Sequence, residues 1–290
     1  MTRRQNAPLY ERRQIELSDS LPEFNVALDH DDRPLMADVL TVGQPDTVVF
    51  LGIGNENRCI DRLAGLLADQ GISDVAIVAP LPYERVESSQ RNLQDFALIG
   101  AITVGRYLKQ AYPNMTRLHA VAESQAVPSL VHAALADPKL FDGRIELLHP
   151  LGIVPRSTWF FASRMMIGNL QREQLDWRVW PVFRWASWRT LEDLMDGGER
   201  LRNGLSIDIR QELQELAEAK GGDLRVMGAE RDLIFPPDDL RRGLADIGLE
   251  RLLAIEPGSH SSPCIKAGSR HVARAVAWCR SEADGSDAVS

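Results

Sequence analysis

The chain has 290 residues, of which 44% are hydrophobic and 26% charged, so it can form one large or two small globular domains. Its formal net charge of −8 argues against a nucleic-acid or anionic-membrane partner, because both bind basic patches. Three scattered cysteines make neither a disulfide framework nor a metal spacing, and no apolar run reaches the ~20 residues of a membrane span, which together favour a soluble, cytoplasmic protein.

Strands and helices alternate along most of the chain. Residues 10–45 carry alternating apolar patches separated by Asp, Pro and Gly, which predicts antiparallel strands at a sheet edge. From residue 46, short β-branched runs alternate with runs of helical periodicity, and this alternation predicts a mostly parallel sheet with helices on both faces. The predicted strands are 46–52, 74–80, 117–124, 144–152, 223–232 and 249–260, and the predicted helices are 59–71, 88–113, 125–137, 208–222, 236–248 and 264–280.

One segment interrupts the alternation. Residues 151–205 hold five of the six tryptophans, and such an aromatic cluster needs an apolar neighbour or an apolar ligand. We predict that this segment is a helical cap inserted into a core domain of residues 1–150 and 206–280, followed by a disordered tail at 281–290. Trp159 and Phe160 of the cap are candidate substrate-binding residues, although a cap packed only on itself is an equal alternative.

Three reactive side chains lie at the ends of predicted strands. Ser124, Asp232 and His260 are each the last residue of such a strand, and ligands of parallel α/β sheets bind beyond the carboxyl ends of the strands. A serine hydroxyl needs a neighbouring base to become a nucleophile, and a neutral histidine suits that task near pH 7. A buried carboxylate on the other ring nitrogen fixes the tautomer and stabilises the imidazolium. The three residues therefore predict a catalytic triad.

Each residue also has a structural interpretation when it is taken alone. Ser124 could cap the following helix, Asp232 could belong to a turn, and His260 could be a surface loop residue. The joint placement at three strand ends favours the triad. His149 also ends a strand and is either a pocket residue or a core histidine, while His271, in the last helix, is interpreted as structural.

The motif around the serine, "AESQA", and the chain order Ser, Asp, His resemble the α/β-hydrolase superfamily over residues 40–280. The usual motif has glycine at both flanks of the serine, where this chain has Ala122 and Ala126. The resemblance implies the α/β-hydrolase fold. It also implies a nucleophile elbow, a sharp turn that joins a strand to a helix and presents Ser124 as the nucleophile.

The resemblance further implies an oxyanion hole made of two backbone N–H groups. One would come from Gln125, the residue after the nucleophile, and the other from Ile53 in the loop "FLGIGNEN". Gly54 and Asn55 are alternative donors and candidate substrate-binding residues.

The function that these observations predict is hydrolysis of a carboxylic ester or thioester that carries an apolar group, through an acyl-enzyme. The expected partner is a small apolar acyl substrate, with no nucleic acid, no metal and no organic cofactor, and a homodimer is left open. Other reactions of the superfamily stay open as well: carbon–carbon bond hydrolysis, lactone or amide hydrolysis, and acyl transfer. So does a non-catalytic protein that only binds a ligand.

Overall fold

An eight-stranded sheet forms the centre of the computed structural model, which describes residues 10–28, 34–52, 57–79, 90–154, 207–260 and 263–281. The strands are β1 (Tyr10–Glu16), β2 (Ser20–Leu21), β3 (Val26–Ala27), β4 (Met36–Val42), β5 (Thr47–Phe50), β6 (Val75–Val78), β7 (His119–Glu123), β8 (Ile145–Leu148), β9 (Leu224–Ala229) and β10 (Leu253–Glu256). The helices are α1 (Asn57–Ala68), α2 (Gln90–Ala111), α3 (Ala126–Ala136), α4 (Arg210–Lys220), α5 (Pro237–Ala245) and α6 (Lys266–Arg280).

The strands lie in the order β1-β4-β6-β5-β7-β8-β9-β10. From β6 to β10 all neighbours are parallel, whereas β4 is antiparallel to both β1 and β6. The predicted mostly parallel sheet is therefore confirmed. The middle patch of residues 10–45 leaves the main sheet and pairs β2 with β3. A 3₁₀ turn at Pro22–Phe24 and Asn25, with φ of 54°, reverses the chain between these two short strands.

Helices cover both faces of the sheet, as predicted. Helices α1 and α6 pack on one face through one apolar cluster, which includes Ile60 and Val272. Helices α2, α3, α4 and α5 pack on the other face through a larger cluster, which includes Phe96 and Leu240. Successive residues of a strand point to opposite faces, so the two clusters alternate along each central strand. The two covered faces explain why the central strands read as continuous apolar runs.

No helix among the described residues has both the length and the apolar composition that crossing a bilayer requires. Residues 155–205 of the predicted cap lie outside the described residues, and so do residues 282–290 of the predicted tail.

A buried ion pair crosses two neighbouring strands of the sheet. Glu146 of β8 accepts two hydrogen bonds from the Arg225 guanidinium of β9, at 2.9 and 2.8 Å. The guanidinium carbon of Arg225 lies 4.5 Å from the ring centroid of Trp278 in α6. Burial raises the pKa of Glu146 to about 7, and the interactions with Arg225 offset only part of that effect.

Because of this pair, we expect the free energy of unfolding to depend on pH. The pKa of Glu146 in the folded chain exceeds its ordinary value of 4.5, so its contribution is fully present below about pH 4.5 and is lost as pH rises through 7. The loss corresponds to about 3 kcal/mol of unfolding free energy. Glu146→Gln should remove this decline between pH 5 and pH 8 in urea denaturation. Glu250→Gln, at an exposed glutamate, is the control, and an equal decline in both variants would contradict the assignment.

Candidate active site

Ser124 occupies a sharp turn between β7 and α3. Its φ is +53°, a left-handed conformation that few non-glycine residues adopt and that marks strained functional turns. The N–H of Ser124 donates to the carbonyl of Leu148 at 2.9 Å, and its own carbonyl accepts the N–H of Val127 at 3.2 Å. A strand-to-helix turn with this backbone conformation is what the predicted nucleophile elbow requires.

The two alanines that flank the turn are compatible with it. Ala122 is fully buried at the end of β7, and Ala126 is buried where α3 begins. Both belong to the apolar cluster on the α2–α5 face of the sheet. The methyl groups at the positions where glycine is usual are therefore part of the core packing.

Gly52 brings the loop after β5 against the elbow. A Cβ at this position would lie 2.9 Å from the carbonyl oxygen of Glu123 and 3.2 Å from the backbone N of Gln125, so only glycine fits. The N–H of Gly52 donates to the Glu123 carboxylate at 2.9 Å. The loop therefore starts beside the Gln125 amide. The predicted donor Ile53, with Gly54 and Asn55, lies outside the described residues.

Asp232 lies in the turn after β9 and is 2% exposed. Its Oδ1 accepts the N–H groups of Ile234 and Phe235, both at 2.8 Å, which fixes the carboxylate plane. Its Oδ2 lies 3.0 Å from Nδ1 of His260. Burial alone would raise the pKa of Asp232, but the charge of His260 and hydrogen bonds from His149 and His260 hold it well below its usual range. The carboxylate is therefore ionised at neutral pH.

His260 lies between two carboxylates. Burial opposes its charged form most strongly, but the charge and hydrogen bond of Asp232 and the charge of Glu123 together raise the pKa of His260. Its Nε2 is 3.8 Å from Oε1 of Glu123, the residue before Ser124. The ring nitrogen that is not bonded to Asp232 thus faces the carboxyl end of β7. The centroid of the Phe235 ring lies 5.5 Å from that of the imidazole.

Backbone hydrogen bonds tie the aspartate turn to the histidine loop. The N–H of Glu230 donates to the carbonyl of Glu256 at 3.0 Å, and that of Arg231 to Gly258 at 2.8 Å. Two other carboxylates near Asp232 in the sequence, those of Glu230 and Asp238, could also have served as the acid, but the structure places both elsewhere. Glu230 is exposed on this turn, and Asp238 is exposed on α5, where it pairs with Arg241. Of the three candidate acids, Asp232 is the one whose carboxylate contacts His260.

His149 is buried beside Asp232, directly after β8. Its φ is +46° and its backbone N–H donates to the carbonyl of Met227 at 2.8 Å. Its Nδ1 lies 3.2 Å from Oδ2 of Asp232, and its Nε2 lies 3.1 Å from Nδ1 of His271. The strand-end position marked this histidine in the sequence, but its contact with Asp232 had no sequence signal. The other candidate binding residues, Trp159 and Phe160, lie outside the described residues.

Asp232, His149 and His260 are of types that bind metals, and their candidate ligand atoms lie within 4.8 Å of one another. However, both oxygens of Asp232 already have partners. Oδ1 accepts two backbone N–H groups, and Oδ2 lies within hydrogen-bond distance of both imidazoles, at 3.0 and 3.2 Å. The cluster is therefore suited to holding and moving protons.

Comparisons with known proteins bear on the fold. No protein-family model matches the chain, and no curated protein matches its sequence. Solved structures do match. A putative lipase from Acinetobacter baumannii AYE has a TM-score of 0.56 at 9% identity, covering 93% of this chain and 90% of its own. A carboxyl esterase 2 from the fungus Tuber melanosporum has a TM-score of 0.54 at 13% identity, with coverages of 94% and 87%.

A third structure, a serine hydrolase involved in carbazole degradation, has a TM-score of 0.55 at 12% identity, covering 93% of this chain and 98% of its own. All three similarities extend over nearly the whole length of both chains, so they concern the complete architecture. The fold that the serine motif and the Ser-Asp-His order lead us to expect is confirmed: the chain has the α/β-hydrolase fold.

Proposed function

We propose that this protein is a serine hydrolase that cleaves a carboxylic ester or thioester with an apolar group. The observation that carries the proposal is the buried Asp232–His260 pair, with an Oδ2–Nδ1 distance of 3.0 Å, at the sheet edge where β7 ends in the strained turn at Ser124. An ionised carboxylate on one imidazole nitrogen leaves the other as a base, which a serine nucleophile requires. The esterase and lipase neighbours agree with this chemistry.

In the first half of the reaction, Oγ of Ser124 attacks the carbonyl carbon and its proton passes to Nε2 of His260. Asp232 keeps Nδ1 of His260 protonated and stabilises the imidazolium. The N–H groups of Gln125 and Ile53 hold the oxyanion, aided by the N-terminal amides of α3. When the tetrahedral intermediate collapses, the bond to the leaving alcohol or thiol breaks, and that group takes the proton from His260.

In the second half, water attacks the acyl-enzyme. His260 accepts a proton from the water, whose oxygen bonds to the acyl carbon. The ester bond to Ser124 then breaks, and Ser124 recovers its proton from His260. The carboxylic acid leaves and the free enzyme is restored. No step needs a metal or an organic cofactor.

Two observations support an apolar group on the substrate. The Phe235 ring lies 5.5 Å from the His260 ring, so the site has an aromatic wall beside its base. The segment between residues 155 and 205, which follows the end of β8, supplies Trp159 and Phe160 in the sequence. Both features favour an acyl or leaving group that buries apolar surface on binding.

A fluorophosphonate probe tests the proposal without knowledge of the natural substrate. The wild-type protein should form a covalent adduct that peptide mass spectrometry locates on Ser124. Ser124→Ala should not be labelled, whereas Ser18→Ala, at an exposed serine outside the site, should label as the wild type does. An unlabelled wild type would instead favour the protein that only binds a ligand.

Kinetics on matched substrates identify the type of bond that is cleaved. A p-nitrophenyl ester, a thioester and an anilide with the same acyl chain share one acyl-enzyme, so their different rates report the leaving group alone. A lactone, which opens to a hydroxyacyl-enzyme, is measured beside them. We expect kcat/KM to be highest for the ester or the thioester. Turnover of the anilide or the lactone alone would move the assignment to the corresponding superfamily chemistry.

A further inference from the structure

His149 and His271 continue the Asp232–His260 pair into the protein interior. Oδ2 of Asp232 is 3.2 Å from Nδ1 of His149, and Nε2 of His149 is 3.1 Å from Nδ1 of His271. Nε2 of His271 is in turn 3.2 Å from the carbonyl oxygen of Pro257, three residues before His260. The contacts form a closed circuit that starts at the triad carboxylate and returns to the loop of the triad histidine.

The contacts of His149 and His271 need three N–H protons, whereas two neutral imidazole rings carry only one each. The Pro257 carbonyl only accepts, so Nε2 of His271 must carry a proton. If His271 is neutral, its Nδ1 is an acceptor and Nε2 of His149 must be the donor. A neutral His149 would then have a bare Nδ1 lone pair 3.2 Å from a carboxylate oxygen, which is repulsive.

The surroundings of His149 agree with this count. Its Nδ1 is buried, and the closest opposite charge among the described residues is the Asp232 carboxylate, 3.2 Å away. Burial is the largest of the effects that lower the pKa of His271 to about 4, so His271 is neutral at pH 7. The third proton of the circuit therefore belongs to His149.

We propose that His149 is a positioning residue of the Ser124–His260–Asp232 triad, and that its ring carries protons on both nitrogens and faces Asp232 as an imidazolium. The proposal rests on the serine-hydrolase function proposed above. The charged ring of His149 orients Asp232. It also lies beside His260, and the centroids of the two rings are 4.8 Å apart. A like charge at this distance disfavours the protonated form of His260, which keeps more of the base neutral and ready to accept the Ser124 proton.

The groups that face this charge come from three further elements. Asp232 faces it from the turn after β9, His260 from the loop after β10, and His271 from α6. Glu123, at the end of β7, acts through His260. The backbone of Gly258 packs closely against the His271 ring, because a Cβ at this position would lie 3.0 Å from Nε2 of His271.

The activity test uses His149→Asn. Asparagine tolerates a positive φ and keeps an N–H donor toward Asp232, but it has no charge and does not reach His271. With the like charge removed, the acid limb of the kcat/KM profile should move up by about one pH unit. Activity near pH 6 should then fall about tenfold relative to wild type, while activity near pH 9 stays within about threefold. A uniform loss at every pH, or an unshifted limb, would overturn the proposal.

His132→Asn is the matched control, because His132 is a half-buried histidine of α3 that pairs with Glu212 away from the site.

A second measurement does not depend on activity or on folding of the variant. In ¹⁵N-histidine NMR spectra of the wild type at pH 7, His149 should be protonated at both nitrogens and His271 at Nε2 only. A neutral His149 would overturn the proposal. Because these spectra need no turnover, an active Ser124→Ala would refute the proposed function without affecting the proton count.

Discussion

Ser124→Ala should reduce kcat on a short p-nitrophenyl ester by roughly 10⁵–10⁶-fold, because the nucleophile and its base act as a unit. The remaining rate would come from the oxyanion donors and from substrate binding alone. The turn itself should persist, since the backbone of Ser124 is held by the carbonyl of Leu148 and by the N–H of Val127. Near-UV circular dichroism and the unfolding midpoint should therefore be close to those of the wild type.

The control for this substitution is Ser18→Ala, which should leave kcat unchanged. A Ser124→Ala protein whose turnover stays within tenfold of the wild type would contradict the serine mechanism. In that case water would be the direct nucleophile, with His260 as its base. The two mechanisms also differ in kinetics: only an acyl-enzyme can give a burst of p-nitrophenol equal to the enzyme concentration.

Asp232→Asn should lower kcat by about 10⁴-fold with little change in KM. Asparagine can keep the two N–H contacts through its oxygen, but its amide then donates toward Nδ1 of His260. The imidazole is forced into the tautomer with its proton on Nε2, so it has no lone pair for the Ser124 proton. Steady-state kinetics measure the loss, and crystallography of the variant checks that the turn is retained.

Asp238→Asn is the matched control, because Asp238 is an exposed carboxylate of α5 on the same polypeptide segment. It should leave kcat within about twofold. The pH profile adds a check on the acid. The wild-type acid limb should lie above the ordinary histidine value of 6.5, because the carboxylates raise the pKa of His260. In Asp232→Asn the acid limb should move to lower pH. An unchanged limb would mean that Glu123, rather than Asp232, raises the pKa of His260.

Much of the fold could be predicted from the sequence for a local reason. Central strands covered on both faces, such as β5 and β6, have short buried runs, and helices such as α6 show an apolar stripe, so each element carries its own pattern. The two-stranded sheet of β2 and β3 could not be predicted as a separate unit. Its separation depends on the reversal at Asn25, whose positive φ has no hydrophobic periodicity.

The candidate site divides in the same way. The sequence placed Ser124, Asp232 and His260 after strands, and these positions needed only the boundaries of the strands. The role of Glu123 could not be predicted, because its hydrogen bond to the N–H of Gly52 joins residues 71 positions apart. That contact exists because β5 and β7 are neighbours in the sheet.

The sequence by itself determined the alternation of strands and helices, the chemistry at the strand ends and the chain order of serine, aspartate and histidine. Only the tertiary structure decided that a second histidine, His149, lies on the carboxylate of Asp232 and that His271 links it to the His260 loop. The physical reason is that β8, β9 and β10 are adjacent in space but far apart in the chain. Side chains at their ends meet through strand pairing and backbone dihedrals, and neither is encoded in a local pattern.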